Sequence, residues 1–149
     1  MTAPVAMITG GNRGIGAAMA QALAARGLRL AMGLRRPDSL PPEIAALDPL
    51  VMPYDAADRA AARAFVNAVE DRFGRIDALI NNAGTGGPLE LIPDAPQPDD
   101  DMEDALDHLL EINVKAPFRL TRAAMPALCR SGRGRVIVLT SLSGKRLLA

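Results

Sequence analysis

The chain has 149 residues, 49% of them hydrophobic, and its 17 basic side chains balance 17 acidic ones. This length and apolar content fit one packed domain, while zero formal charge gives no support for a nucleic-acid partner or an anionic membrane held by net charge. The lone cysteine excludes an intrachain disulfide and a Cys/His zinc site, and the lack of a membrane-length apolar run or secretory signal leads us to expect a cytoplasmic protein without a metal.

The first predicted strand and the first predicted helix are joined by a glycine-rich turn. The apolar run Val5 to Ile8 predicts a buried strand, and Ile15 to Arg26 has helical spacing with Ile15, Met19, Ala22 and Leu23 as its apolar positions. The first amides of a helix have no partner inside it, and the helix dipole places positive charge there. A phosphate is therefore the expected occupant of the turn, although the glycines alone favour a cofactor site only modestly over a plain βα turn.

Three glycines of this turn each have a mechanical reason to be there. We expect Gly10 to form a tight turn, Gly14 to let the backbone approach a pyrophosphate, and Gly16 to let helix and strand pack closely. The spacing is not that of a P-loop, because no Gly-Lys-Ser/Thr sequence follows.

Arginines follow the second predicted strand. Gly27 is expected to end the first helix, and the strand Leu28 to Leu34 runs directly into Arg35 and Arg36. In a dinucleotide-binding fold an acidic side chain here would bind the adenosine ribose, whereas arginine accommodates a 2′-phosphate. With Arg13 inside the turn, the sequence favours NADP(H) over NAD(H). The alternative is that Arg35 and Arg36 are solvated surface charges.

An aspartate comes just after the third predicted strand. Residues 37–49 contain four prolines and predict a loop with at most a short helix, and Leu50 to Pro53 predicts the strand. Asp55 would lie at the ligand edge of the sheet, where its carboxylate could accept a hydrogen bond from the adenine amine. The alternative is that Asp55 caps the next helix. Asp58 suits the capping role better.

The next helix and strand lead to a second polar turn. Asp58 to Phe73 has one apolar face and Gly74 ends it, while Ile76 to Ile80 predicts a strand that runs into Asn81-Asn82-Ala83-Gly84. Amides and a glycine at a strand end suit a wall against a flat ligand, and the alternative is a plain turn.

A loop and a long helical region follow. Residues 85–101 predict a surface loop whose aspartates at positions 99–101 supply a helix N-cap, with metal binding only weakly supported. The helical region is expected to break or kink near Pro117 and Pro126. Asn113 lies among apolar residues, which predicts a buried amide that is either structural or part of a functional hydrogen-bond network. His108 is interpreted as a partly exposed helix residue.

A fifth strand is predicted over Arg135 to Thr140 and is expected to be buried on both faces. It ends at Thr140-Ser141-Leu142-Ser143-Gly144. Because strands alternate with helices throughout, the pattern predicts an α/β fold with a parallel doubly wound sheet.

Five motifs in this order resemble the short-chain dehydrogenase/reductase family. They are Thr9 to Gly16, Asp55, Asn81 to Gly84 with its extra Asn82, Asn113, and Ser141 followed by Gly144. The resemblance implies one Rossmann-type domain over residues 1–149 with five strands in the order 3-2-1-4-5, incomplete relative to the family. It also implies reversible hydride transfer between a nicotinamide and a small-molecule carbonyl or alcohol substrate.

The resemblance assigns roles to particular residues. Ser141 would hydrogen-bond the substrate, and Asn113 would help to hold a water in a proton relay. The residues that would bind the cofactor are Thr9, Gly10, Asn12, Arg13, Gly14, Ile15, Gly16, Arg35, Asp55, Asn82, Ala83 and Gly84.

The family's Tyr-x-x-x-Lys motif has no counterpart in these 149 residues. Tyr54 is the only tyrosine, and Lys145 follows none. We therefore expect this to be the N-terminal, cofactor-binding part of a longer enzyme, inactive alone; the alternatives are a non-catalytic dinucleotide-binding module and an inactive fragment. The fifth strand would be an open edge and the long helical region would expose an apolar patch, so a homo-oligomer or association through that edge is expected.

Overall fold

The computed structural model describes residues 2–86 and 99–141, with side chains described from residue 102 in the second range. Five parallel strands form one sheet in the order β3-β2-β1-β4-β5, as predicted. A 3₁₀ turn spans Pro37–Ser39, and a π-helical turn spans Glu111–Lys115. The remaining elements are β1 Val5–Thr9, α1 Gly14–Ala25, β2 Arg29–Leu34, α2 Pro42–Ala45, β3 Leu50–Pro53, α3 Ala61–Phe73, β4 Ala78–Asn81, α4 Asp99–Leu110, α5 Ala116–Arg130 and β5 Arg135–Val138.

Helices pack on both faces of the central strands, whose alternate residues point to opposite sides of the sheet. On one face, Val5 and Met7 of β1 join a buried cluster with Phe65 of α3 and Leu120 of α5. On the other face, residues such as Ile8 pack in a cluster with α1 and α2. This arrangement confirms the doubly wound fold.

The buried face of α1 differs from the predicted one. Gly16 and Ala20 are its buried residues, whereas Ile15 is 66% exposed and Ala22 is also exposed. The apolar spacing was correct for a helix, and Met19 and Leu23 pack against the core, but the fully buried positions are Gly16 and Ala20, whose small size lets α1 approach the sheet closely. Ile15 instead lies beside the cleft described below.

The third helix has the predicted apolar face and a later start. Phe65, Val66 and Val69 are buried, and Gly74 ends the helix in the left-handed region at φ +71°. The helix begins at Ala61 rather than Asp58, because the Asp58 carboxylate accepts from the N–H of Ala60 in a separate turn (2.8 Å). Neither Asp58 nor Asp55 caps α3, whose N-cap is Ala60 with no side-chain hydrogen bond.

The long helical region contains one π-helical turn within the described residues. The π-helical turn ends at Lys115, and Pro117 is the second residue of α5, while Lys115 and Ala116 at the junction keep right-handed helical backbone angles. The change near Pro117 is therefore a π-helical turn within continuous helix and not a break, and α5 also continues through Pro126. No helix in the described parts of the chain is long and apolar enough to cross a membrane.

The fifth strand is exposed along its whole length. All four residues of Arg135–Val138 are exposed, which corrects the prediction of a strand buried on both faces and lasting to Thr140. An apolar run shows that a strand can be buried, but burial also requires neighbouring elements on both sides. The predicted N-cap side chains at 99–101, the loop at 87–98 and Gly144 lie outside the described residues.

Candidate functional site

A cleft of about 750 Å³ opens at the carboxyl ends of the central strands. In the order β3-β2-β1-β4-β5, successive strands are added on one side of β1 as far as β3 and then on its other side from β4 onward. Open α/β sheets bind ligands at such a switch in strand order, here between β1 and β4. The cleft is lined by Gly10, Asn12, Arg13, Gly14, Ile15, Gly16, Gly33, Leu34, Arg35, Arg36, Ser39, Tyr54, Asp55, Ala56, Ala57, Asn82, Ala83, Gly84, Thr85, His108 and Ile112.

The glycine turn is fixed to the end of β4 by side-chain hydrogen bonds. The Asn82 Nδ2 donates to the carbonyls of Thr9 (2.9 Å) and Gly10 (2.7 Å). In return, the Thr9 hydroxyl accepts from the backbone N–H of Asn82 (3.1 Å) and of Ala83 (3.0 Å). Thr9 is buried behind the cleft and is not one of its lining residues. Because both partners of these bonds are protein groups, the shape of the turn does not depend on a bound ligand.

The three glycines of the turn have different surroundings. Gly10 has φ +69°, and a Cβ there would lie 3.1 Å from the Cα of Ala83. At Gly16 a Cβ would lie 2.5 Å from both the Asn82 Nδ2 and the Gly10 carbonyl oxygen. The start of α1 therefore packs closely against the glycine turn and the segment after β4. Gly14 has φ +54° and open space within 4 Å of its would-be Cβ. The backbone at Gly14 is therefore accessible to a ligand.

The three arginines that the sequence analysis associated with a phosphate all line the cleft. Arg13 comes from the turn, and Arg35 and Arg36 follow β2; all three are exposed. The loop after β2 is linked to the turn, because the Asn12 Nδ2 donates to the Ser39 Oγ (3.0 Å), which donates to the carbonyl of Arg36 (2.6 Å). The cationic loop and the glycine turn thus form one wall.

Asp55 and Tyr54 lie where β3 ends. The Asp55 carboxylate accepts from the N–H of Ala57 (2.9 Å) and lines the cleft, so it closes a local turn at the ligand edge.

Tyr54 is 6% exposed and packs on Phe65 with ring centroids 5.9 Å apart. Burial raises the pKa of Tyr54 to about 12, which Arg119 opposes and Asp55 reinforces. The only tyrosine of the sequence is therefore a poor proton donor at neutral pH.

Asn113 lies in the π-helical turn and is exposed, which corrects the predicted burial. Both polar atoms of its side-chain amide form hydrogen bonds with Thr85. Oδ1 accepts from the Thr85 N–H (3.0 Å), and Nδ2 donates to the Thr85 carbonyl (2.8 Å). Asn113 thus fastens the segment after β4 to the helical layer. Ser141 follows β5, is exposed, and does not line the cleft.

Several lining residues were not predicted. Ser39, Thr85, His108 and Ile112 reach the cleft from the loop after β2, the segment after β4 and the α4 region. The spacing of four between His108 and Ile112 places them on one helical face, which is the only signal for that pair. Their position depends on where α4 packs, and spacing alone does not give that.

Comparisons with known proteins agree on one family. A family described as short chain dehydrogenase matches residues 4–149. Agropine synthesis reductase of Rhizobium rhizogenes is 39% identical over 147 residues, and granaticin polyketide synthase putative ketoacyl reductase 2 of Streptomyces violaceoruber is 38% identical over 150 residues. The crystal structure of a short-chain dehydrogenase from Streptomyces avermitilis has a TM-score of 0.83 and 32% identity.

The chain spans only part of these proteins. Each alignment with the two reductases covers 97% of this chain, but only 33% of the Rhizobium protein and 57% of the Streptomyces violaceoruber protein. The structural match covers 99% of this chain and 53% of the other.

Proposed function

The chain belongs to the short-chain dehydrogenase/reductase family, and on that premise we propose that it is the cofactor-binding part of an NADP(H)-dependent oxidoreductase. The substrate class is a small carbonyl compound or alcohol. The observation that carries this proposal is the cleft, where the glycine turn, three arginines and the Asn82–Gly84 segment line one cavity. The reductase names of the two relatives support the same class of reaction.

The residues of the cleft fit a dinucleotide. The open backbone at Gly14 and the start of α1 would hold a pyrophosphate, since helix N-termini and exposed amides favour anions. Arg13, Arg35 and Arg36 would hold the 2′-phosphate, because guanidinium groups make forked hydrogen bonds to phosphate oxygens. When bound, the dinucleotide supplies hydride transfer.

Asn113 and Ser141 are proposed as the residues nearest to the reaction. By family resemblance Ser141 binds the substrate oxygen and Asn113 supports a proton relay. The bonds from Asn113 to Thr85 support a positioning role for Asn113, because Thr85 lines the cleft whereas Asn113 itself does not. Tyr54 is left outside the reaction because it is buried with a raised pKa.

Calorimetric titration tests the cofactor part of the proposal. We expect NADP⁺ to bind at least about tenfold more tightly than NAD⁺, which corresponds to about 1.4 kcal/mol. Equal affinities would overturn the preference, and no binding of either would overturn the cofactor site.

Turnover tests the reaction class separately. NADPH oxidation by the whole protein, in the presence of a panel of ketones, is expected to depend on the ketone, whereas these 149 residues alone are expected to give no turnover. Tight cofactor binding without turnover of any ketone or alcohol by the whole protein would instead support a non-catalytic dinucleotide-binding module.

A further inference from the structure

A second concave surface, which we call the arginine groove, lies between α3 and α5. It has a volume of about 270 Å³ and is lined by Arg59, Arg63, Arg119 and Arg122. None of its lining residues lines the cofactor cleft. We propose that this groove binds a phosphate-bearing anion at a site separate from the dinucleotide.

Most of the positive charge in the groove is not neutralised by the described residues. Arg119 is paired with Glu111 (2.5 Å) and donates to the carbonyl of Ala56 (2.8 Å). Across residues 2–86 and 102–141, by contrast, Arg59, Arg63 and Arg122 form no ion pair. The first turn of α3 also contains no acidic residue. Guanidinium groups keep their charge at any ordinary pH, so they remain available to pair with an anion.

The donor geometry favours phosphate over a single carboxylate. One forked pair of N–H groups satisfies a carboxylate, whereas a phosphate offers three terminal oxygens and accepts from several guanidinium groups together. Here three exposed arginines border one small hollow: Arg59 from the turn before α3, Arg63 from α3 and Arg122 from α5. A phosphate therefore uses this set of donors more fully.

The walls of the groove leave room for an organic part of the ligand. Ala62 and Ala123 contribute only methyl groups, and the ring of Phe118 is 61% exposed. The Arg122 Cζ lies 5.9 Å from the centre of that ring, which keeps a cation beside an apolar surface. Inorganic pyrophosphate and an organic phosphate monoester share the required chemistry, and an aromatic ester would also contact the ring.

NMR of alanine methyl groups tests the proposal at the groove itself. Ala62 and Ala123 line the groove, whereas Ala83 lines the cofactor cleft, so each methyl signal reports on one site. Titration with pyrophosphate and with phenyl phosphate is expected to shift the Ala62 and Ala123 signals saturably. A dissociation constant below about 10 mM is expected for at least one of them. Tighter binding of phenyl phosphate would favour an organic ester as the ligand, and tighter binding of pyrophosphate would favour an inorganic anion.

Variants separate a specific site from general charge. The double variant Arg63→Ala/Arg122→Ala is expected to weaken binding at least about tenfold. The double variant Arg26→Ala/Arg133→Ala removes the same charge from exposed positions outside the groove and is expected to bind as the wild type. If the first variant does not fold, Arg63→Lys/Arg122→Lys keeps the charge, removes the forks and is expected to bind several-fold more weakly.

Two results would overturn the proposal. One is the absence of saturable shifts at Ala62 and Ala123 with either probe, even if Ala83 responds. The other is equal binding of acetate, or equal loss in the two alanine double variants, because either would show non-specific attraction of anions.

Discussion

Asn82 connects the two strand ends between which the cleft opens. Its amide donates to the carbonyls of Thr9 and Gly10, while the Thr9 hydroxyl accepts from the N–H groups of Asn82 and Ala83. The sequence predicted that Asn82 would flank a cofactor, and the structure adds that it holds the glycine turn. Because these bonds are internal, the turn is organised before a ligand binds.

Replacement of Asn82 should therefore affect both folding and binding. In Asn82→Ala two part-buried carbonyls lose their donor, which is expected to lower the free energy of unfolding by about 1–3 kcal/mol. Asn82→Asp has the same shape without a donor and should be at least as damaging. Urea denaturation followed by circular dichroism measures the change, and unchanged stability in both variants would contradict the role of the amide.

Gly16 and Gly14 should respond differently to alanine. At Gly16 the added Cβ meets Asn82 and the Gly10 carbonyl at 2.5 Å, so Gly16→Ala must displace the turn. We expect a loss of about 1–3 kcal/mol in stability and weaker NADP⁺ binding. At Gly14 the Cβ has open space, and the cost arises from φ +54° alone. Gly14→Asn should be milder than Gly14→Ala, because asparagine tolerates this conformation. Equal effects on folding of Gly16→Ala and Gly14→Asn would contradict the contact at Gly16.

Asp77 provides a stability contribution that depends on pH. Burial alone raises the pKa of Asp77, but the hydrogen bonds from Arg75 (2.6 and 2.8 Å) and the Val5 N–H (2.8 Å) outweigh it, and Arg29 adds to them, so the net pKa lies below that of an ordinary aspartate. A folded-state pKa below the unfolded value stabilises the fold above about pH 4, and this stabilisation is lost as pH falls through the folded pKa.

The variant Asp77→Asn isolates this contribution. It keeps an acceptor for Val5 but removes the charge beside Arg75, so we expect about 1–3 kcal/mol lower unfolding free energy near neutral pH. The difference from wild type should shrink as pH falls below about 4, where the wild-type carboxylate itself becomes protonated. Denaturation curves over this pH range measure it, and a difference independent of pH would show that the charge is not responsible.

Among the elements, those with strong internal patterns were predictable. The central strands and α3 combine apolar periodicity with glycine stops, and these local signals gave their positions to within a few residues. The burial of β5 and the position of α4 depend on which elements pack beside them. The same reason explains the exposure of Asn113, since an amide among apolar residues is buried only if its helix face is covered.

For the cleft, the motifs at strand ends predicted most of the lining residues, because parallel order brings those ends together.

The end of α3 offers a test at the scale of an element. Gly74 has φ +71° and its N–H donates to the carbonyl of Glu70 (2.7 Å), while a Cβ there would meet nothing within 4 Å. Gly74→Ala is therefore expected to lower stability by about 1–2 kcal/mol through backbone strain alone. Gly74→Asn should recover part of this loss. Thermal denaturation compares the two, and an alanine variant as stable as wild type would contradict a strained helix end.

At the scale of the whole molecule, the arginines are not evenly distributed. The formal charge is zero, yet three arginines line the cleft and four line the arginine groove. We therefore expect any attraction of anions to be local to the two concave surfaces, and to depend on ionic strength there rather than on net charge.

The cleft arginines give the cofactor preference a measurable signature. Arg35→Ala/Arg36→Ala should weaken binding of NADP⁺ at least about tenfold, with little change for NAD⁺, because only NADP⁺ carries the 2′-phosphate that these side chains would contact. In wild type, added salt should weaken binding of NADP⁺ more than binding of NAD⁺, and the double variant should lose this extra dependence. Calorimetry at low and high salt measures the affinities of both cofactors for the wild type and for the double variant. The groove variant Arg63→Ala/Arg122→Ala serves as the matched control, since it removes the same charge at residues outside the cleft. If that control reduces NADP⁺ affinity as much as the cleft variant does, the selectivity comes from the overall field of the protein and not from contact with Arg35 and Arg36.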